Sequence, residues 1–257
     1  MSFATSLFRR NLFVVSLLII GIAAGAHAAD FNRIEWSGGY SRSRVKSNVE
    51  EITFTTPGGG TDGFTDLCSA ATGEHLGTDS QRFFCKGRGF NGANVSFTYN
   101  LSRYVGIKTD LAAYTKSETF VDDFGGIIQT IDVDEHLQTL LTGVQLKDNG
   151  SGAGRWRPFG HALAGFARYT NRQSQDIDAF PMFNFTAKDR ETSLALKIGG
   201  GLDVSLTPRV DLRLIEIDYQ PIFAGDRNMK TVSGPFTFHL KGKTAANTVI
   251  GFGIVIH

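Results

Sequence analysis

Eight charged residues fall within segments that alternate like β-strands, and their types suit ion pairing. They are Lys108, Asp110, Arg168, Lys197, Asp203, Arg213, Glu216 and Asp218. An unpaired charge in a low-dielectric interior is costly, so the basic and acidic members should pair across a lumen. Arg213 and Glu216 have opposite parity, and both can face inward only if a β-bulge lies between them. We expect a structural ion-pair plug, with a gated ion path as the alternative.

The histidines give little support to catalysis. An enzyme that acylates or deacylates its substrate would need a nucleophile and a histidine base within hydrogen-bond reach. The candidate bases are His75, His136, His161 and His239, and none of them begins a His-x-Ser motif. We therefore expect no enzymatic activity, no catalytic residue and no cofactor.

The two cysteines, Cys68 and Cys85, are expected to form a disulfide. Both follow residues 1–28, which have the features of a secretory signal peptide, so we expect a compartment that permits oxidation. Closing this loop would stabilise the fold by at most about 3 kcal/mol in the chain-entropy model. Two free thiols are the alternative. A zinc site is disfavoured, because the pair lacks a close CxxC spacing and a histidine pair at ligand spacing. We expect no bound metal.

Residues 1–28 have the plan of a secretory signal peptide. Two arginines precede an apolar run over residues 12–26, and Ala26-His27-Ala28 places small residues at the cleavage spacing. The apolar run is shorter than the roughly 20 residues that a helix needs to cross a bilayer. We therefore expect export, cleavage after Ala28, and one barrel domain over residues 29–257.

Composition favours an all-β chain. The 257 residues include 30 glycines and 21 phenylalanines, without the alanine, leucine and glutamate bias of helical proteins. The formal net charge is only +1, with both signs mixed along the chain. No polybasic patch of the kind that nucleic acid requires is present, so we expect no nucleic-acid partner.

Segments of about ten residues alternate between apolar and small polar side chains, which is the period of a strand with two unlike faces. The clearest lie over residues 91–99, 104–114, 192–206 and 248–256. Their polar faces hold glycine, serine and threonine with isolated lysine and aspartate, which suits a narrow lumen better than a solvated surface. The alternative is a soluble periplasmic carrier of the lipocalin type, whose barrel would enclose apolar side chains.

Turn signals divide the chain into strands joined by short turns at one end and long loops at the other, as in transmembrane barrels. Eight strands are predicted, over about 36–44, 89–99, 103–115, 135–147, 158–170, 191–206, 209–222 and 247–256. Long extracellular loops are predicted over 44–88, 116–134, 171–190 and 224–246. Phe236, Phe238 and Leu240 could add strands to make ten, although we expect them to extend the final hairpin above the membrane.

Several short motifs resemble those of a known group of proteins. They are Trp36-Ser37-Gly38-Gly39-Tyr40, the hairpin from Tyr99 to Gly106, Arg157-Pro158-Phe159-Gly160, and the run from Val249 to Ile256. With aromatic residues at strand ends, they resemble the small outer-membrane barrels typified by the amino-terminal domain of OmpA, by OmpX and by the opacity-type surface proteins. Members of that group usually end in an aromatic residue, whereas this chain ends in His257.

The resemblance implies a closed, antiparallel, up-and-down transmembrane β-barrel in the bacterial outer membrane. It implies a non-enzymatic, structural or surface-interaction role through the extracellular loops. An outer-membrane enzyme that modifies lipid A, as some eight-stranded barrels of this general kind do, stays a minor alternative. The expected partners are outer-membrane lipid, lipopolysaccharide and an extracellular ligand, and the expected oligomeric state is a monomer.

Overall fold

The computed structural model describes residues 31–55, 61–65, 87–123, 126–150, 153–181, 184–233 and 237–257. Within these ranges the chain forms twelve strands. They are β1 (Ile34–Val45), β2 (Val49–Thr55), β3 (Thr61–Thr65), β4 (Arg88–Asn100), β5 (Val105–Asp123), β6 (Ile128–Lys147), β7 (Trp156–Ile177), β8 (Phe185–Thr207), β9 (Val210–Phe223), β10 (Arg227–Ser233), β11 (Thr237–Gly242) and β12 (Thr244–Ile256).

Eight of these strands close into a barrel. Their order is β8-β7-β6-β5-β4-β1-β12-β9, and a direct β8–β9 pairing closes the ring. Every neighbouring pair is antiparallel, and each short turn joins strands that lie side by side, so the barrel is of the up-and-down type. The predicted closed antiparallel barrel of about eight strands is therefore confirmed.

The exterior of the barrel is apolar. Phe166, Ile198 and Phe252 are each more than half exposed, at 61%, 57% and 58%. Alternation alone does not say which face of a strand points outward; the structure places the apolar face outside and the polar face in the lumen. Trp36 and Trp156, the two tryptophans, lie on this exterior near the end with the short turns.

Where the structure describes them, the predicted long loops are largely β-structure, which corrects the sequence-based expectation. β5 and β6 stay paired as far as Asp123 and Ile128, so the loop predicted over 116–134 is a hairpin. Strands β2, β3, β10 and β11 form a sheet in the order β3-β2-β11-β10, which joins β8. We call it the hairpin sheet, and we call the end of the barrel that carries it and the β5–β6 hairpin the hairpin end. Leu240 lies in β11, outside the barrel, so the count of eight barrel strands holds.

Some predictions fall on residues that are not described. These are the signal peptide, residues 1–28, and the disulfide partners Cys68 and Cys85. Among the described residues, no helix is long and apolar enough to cross a membrane.

Candidate functional site: the charged lumen

Seven of the eight charged residues singled out in the sequence are buried in the lumen. They are Lys108, Asp110, Lys197, Asp203, Arg213, Glu216 and Asp218, each at most 3% exposed. Arg168 is the exception, because Ala167 and Tyr169 occupy the inward positions on either side of it in β7. Arg168 therefore lies on the outer face, and the expectation that it joins the lumen pairs was wrong.

A β-bulge brings Arg213 and Glu216 to the same side of β9. Gly251 of β12 pairs with Glu216, whereas Gly253 pairs with Arg213, so one residue of β12 faces two residues of β9. Leu214 and Ile215 lie at this irregularity, and both side chains are exposed on the exterior. The bulge places both charged side chains on the lumen side of β9, next to each other.

Arg213 is the most connected cation in the lumen. Its Nε and Nη2 donate to the two carboxylate oxygens of Asp203, at 2.9 and 3.2 Å, in a bidentate pair. Its Nη1 donates to Glu216 Oε2 at 3.1 Å and to Ser37 Oγ at 3.3 Å. The guanidinium carbon lies 4.1 Å from the ring centre of Phe159. One side chain thus connects β9 with β1, β7 and β8.

Two lysines complete the middle of the lumen. Lys108 Nζ donates to Glu216 Oε1 at 3.2 Å, and Lys197 Nζ donates to Asp110 Oδ1 at 2.7 Å. His161 Nε2 lies 3.0 Å from Asp218 Oδ1. The ammonium groups and carboxylates therefore alternate in space, as burial of charge demands.

Another cluster lies near the short turns, and all of its members except Asp203 were missed by the sequence analysis. Lys147 Nζ lies 2.8 Å from both Glu35 Oε2 and Asp203 Oδ2. Asp211 Oδ2 accepts from Arg157 Nη1 at 3.4 Å and is 2.9 Å from His257 Nε2. These residues lie at strand ends, where the sequence pattern does not distinguish a residue of a turn from a residue that faces the lumen. The alternation along β6 could have revealed Lys147. It lies two residues after Gln145, and because residues two apart in a strand face the same side, both face the lumen.

We call these thirteen inward ionic residues the charged layer. They are Glu35, Lys108, Asp110, Lys147, Arg157, His161, Lys197, Asp203, Asp211, Arg213, Glu216, Asp218 and His257. Each of them makes at least one contact of 4.0 Å or less with a group of opposite charge, or with a histidine ring.

A second part of the lumen contains a cluster of buried apolar side chains, which the sequence analysis did not foresee. This apolar layer consists of Val45, Phe90, Ala112, Tyr114, Leu137, Leu141, Leu163, Ala167, Tyr169, Ala195, Ile222 and Val249. On each strand its members lie nearer the hairpin end than the charged layer does. Phe90 and Leu141 are fully buried. The lumen is therefore filled by two unlike kinds of packing.

One group in the described part of the chain has the donor atoms of a metal site. His161, Glu216 and Asp218 each offer a ligand atom, and these atoms lie within 4.8 Å of one another. However, Lys108 Nζ is 3.2 Å from Glu216 Oε1, and Lys197 Nζ is 3.7 Å from Asp218 Oδ2. Ammonium groups therefore occupy the positions where a cation would bind, and the arrangement is better suited to ion pairing.

The histidines considered as catalytic bases are dispersed. His136 is exposed on the outer face of β6, and His239 contacts Asn228 Oδ1 at 2.8 Å in the hairpin sheet. His161 lies in the charged layer, 3.4 Å from Lys108 Nζ. His75 is not among the described residues. Within the described chain, none of these contacts is to a serine, threonine or cysteine nucleophile.

Comparison with known proteins finds likeness in architecture. No family model and no curated protein matches the chain. Among solved structures it is similar to the outer-membrane protein OprG of Pseudomonas aeruginosa, with 16% identity, a TM-score of 0.48, and coverage of 87% of this chain and 95% of that one.

Two further solved structures are similar. Ail, the attachment invasion locus protein of Yersinia pestis, has 11% identity and a TM-score of 0.38, over 88% of this chain and all of the other. Neisserial surface protein A has 11% identity and a TM-score of 0.35, over 88% and 97%. The fold itself is decided by the strand pairing of this chain. Its closed eight-stranded barrel with an apolar exterior has the architecture of the small outer-membrane barrels that the sequence resembles.

Proposed function

We propose that this protein is a non-enzymatic barrel of the bacterial outer membrane, with a structural or surface-interaction role. The observation that carries the proposal is that the barrel combines an apolar exterior with a lumen filled by ion pairs and apolar side chains. A soluble barrel would place its apolar faces inward and its charges in water. Here thirteen ionic side chains lie inside, and the exposed side chains of the strands are largely aliphatic and aromatic.

The two ends of the barrel suggest its orientation. Short turns over residues 101–104 and 208–209 lie at one end. The other end has the long β5–β6 hairpin and the sheet formed by β2, β3, β10 and β11. Transmembrane barrels place short turns in the periplasm and long connections outside. The hairpin end is thus the part that meets lipopolysaccharide head groups or an extracellular ligand.

Export and a monomeric state are parts of the same proposal. Residues 1–28 are proposed to be a signal peptide that directs export and is removed, and residues 29–257 are proposed to be the barrel domain. Each of the eight barrel strands has a neighbour on both sides, so the ring needs no second chain to satisfy its backbone. The Cys68–Cys85 disulfide is proposed to form in the same oxidising compartment.

The lumen is proposed to be a plug. The charged layer crosses the barrel interior with contacts of 2.7 to 3.9 Å between opposite charges, and the apolar layer lies above it. An ion entering this interior would have to break several pairs at once. Single-channel recording in planar bilayers should give no steady conductance; discrete, lasting openings of the native chain would favour the gated ion path.

Location and fold are tested by the mobility of the membrane-fraction protein on SDS gels, boiled against unboiled. A closed membrane barrel resists SDS at room temperature and runs as a faster band until it is heated. Protease added to intact cells should cleave only within the hairpin end. A folded protein recovered from the periplasm without detergent would contradict the proposal and support the soluble carrier.

A further inference from the structure

A cavity of about 110 Å³ lies at the hairpin end, directly above the apolar layer. One wall is apolar and is formed by Val49, Met229 and Leu240, which belong to three different strands of the hairpin sheet. The facing wall comes from the barrel and is polar, with Glu135 and Asn171 on adjacent strands. The cavity therefore has one apolar wall and one wall with hydrogen-bonding groups, which is the usual composition of a small-molecule site.

The polar wall has two acceptor atoms without a donor. Glu135 is fully buried, and one carboxylate oxygen, Oε1, accepts from Tyr169 Oη and lies 3.0 Å from Arg88 Nη2. The other oxygen, Oε2, has no hydrogen-bond partner among the described residues. The same holds for Oδ1 of Asn171, which pairs directly with Glu135 across β6 and β7. Buried acceptors of this kind normally have a donor.

The charges around the cavity favour a cation. Arg227 is held by two carboxylates, with Nε 2.6 Å from Asp189 Oδ2 and Nη1 3.0 Å from Glu191 Oε2. Lys116 lies opposite Glu135 on β5 and is paired with Glu118. Counting Glu135, Arg88 and this pair, the surroundings of the cavity hold four carboxylates, two guanidinium groups and one ammonium group. One negative charge is thus in excess, beside the two acceptors that lack donors.

We propose that this cavity binds a small primary alkylammonium ion. An ammonium group has three donors and no acceptor, so it can donate to Glu135 Oε2 and Asn171 Oδ1 together. Its alkyl chain would lie against Met229 and Leu240. A cavity of about 150 Å³ holds benzene, so about 110 Å³ suits a ligand of roughly five heavy atoms. The inference rests on the proposed function, because it gives the extracellular hairpins a class of ligand.

The test is isothermal titration calorimetry of the refolded barrel in detergent micelles, with n-butylammonium chloride as the probe. We expect saturable binding of one ion per barrel. n-Butanol and sodium butyrate have similar size but lack the ammonium group, and ammonium chloride lacks the alkyl chain. All three should bind at least about tenfold more weakly, since a hydrogen bond to a charged group or the burial of a short alkyl chain is each worth this much.

The deciding variant is Glu135→Gln, which keeps the size of the side chain and removes its charge. It should weaken n-butylammonium binding by about tenfold or more. Glu50→Gln is the matched control: Glu50 lies in β2 and pairs with Lys241 at 3.3 Å outside the cavity lining, so its substitution should leave the affinity unchanged. Heat-dependent gel mobility verifies that both variants fold.

Two results would overturn the inference: equal titrations for native protein and Glu135→Gln, or equal affinity for n-butanol and n-butylammonium. Failure of the proposed function is a separate outcome, because binding is measured on purified protein, whereas location is measured by cell fractionation and gel mobility. A barrel that shows the gel shift but binds no n-butylammonium would refute this inference alone.

Discussion

The charged layer and the apolar layer fill the same barrel by different physics. In the charged layer, each buried group depends on particular partners, as Arg213 does on Asp203 and Glu216. In the apolar layer, Leu141 and Phe90 need only neighbours of suitable volume. Removing one charged partner leaves the other uncompensated, whereas removing a methyl group leaves a void. The comparison predicts that single substitutions are more damaging in the charged layer than in the apolar layer.

The largest effect is expected for Arg213→Ala. The substitution leaves Asp203 without its bidentate partner and Glu216 with only Lys108 and His161, so we expect the free energy of unfolding to fall by about 3–5 kcal/mol. Guanidinium unfolding of the barrel in lipid bilayers measures this, with Trp36 and Trp156 as fluorescent reporters at the exterior. A loss below that of the apolar-layer variant described below would contradict the comparison.

A paired replacement sharpens the same point. Lys197→Met alone leaves Asp110 buried without its 2.7 Å partner, and we expect a loss of about 3 kcal/mol. Adding Asp110→Leu removes the second charge, and the double variant should recover most of that loss, because an apolar pair needs no compensation. The double-mutant cycle is read from the same unfolding curves. A double variant as unstable as the sum of both single variants would show that the pair does not act as a unit.

In the apolar layer, Leu141→Ala should cost about 2–3 kcal/mol, through lost burial and a residual cavity. Leu140 is its matched control, since it is the next residue in β6 and is 49% exposed on the exterior. Leu140→Ala should cost less, because lipid can fill the space. Similar losses at both positions would mean that the lumen is loosely packed.

The smallest effect concerns an ion pair in a turn outside the membrane. Arg103 Nε donates to Asp148 Oδ1 at 2.7 Å, and this contact is the main cause that lowers the pKa of Asp148 to about 2. Because the pair is exposed to solvent, Asp148→Asn should cost less than about 1 kcal/mol at neutral pH.

The pH dependence of that effect follows from the lowered pKa. A carboxyl whose pKa is depressed on folding stabilises the fold above its unfolded pKa of about 4, and this contribution disappears as pH falls through the folded value of about 2. The difference between native protein and Asp148→Asn should therefore vanish between pH 4 and pH 2. A difference that persists at pH 2 would show that the aspartate acts through its turn geometry instead.

Much of the barrel follows from local pattern. A strand has period two, so the sequence alone separates the faces of the strands and predicts eight of them. It also places Lys108 and Asp110 on the polar face of β5, where the structure has them. Arg168 was misplaced although its parity could be read from the sequence, because Phe166, two residues earlier, belongs to the apolar face of β7.

The tertiary structure decided what depends on partners distant in sequence. Arg213 meets Ser37 across 176 residues, and which cation reaches which carboxylate is fixed by the register and tilt of the closed ring. β2 pairs with β11, so its strand character is stabilised by a hairpin almost two hundred residues away. The division of the lumen into two layers has the same origin. Alternation defines an inward face on each strand. Only the register of the eight strands around the barrel determines which inward side chains meet at each height along the barrel axis.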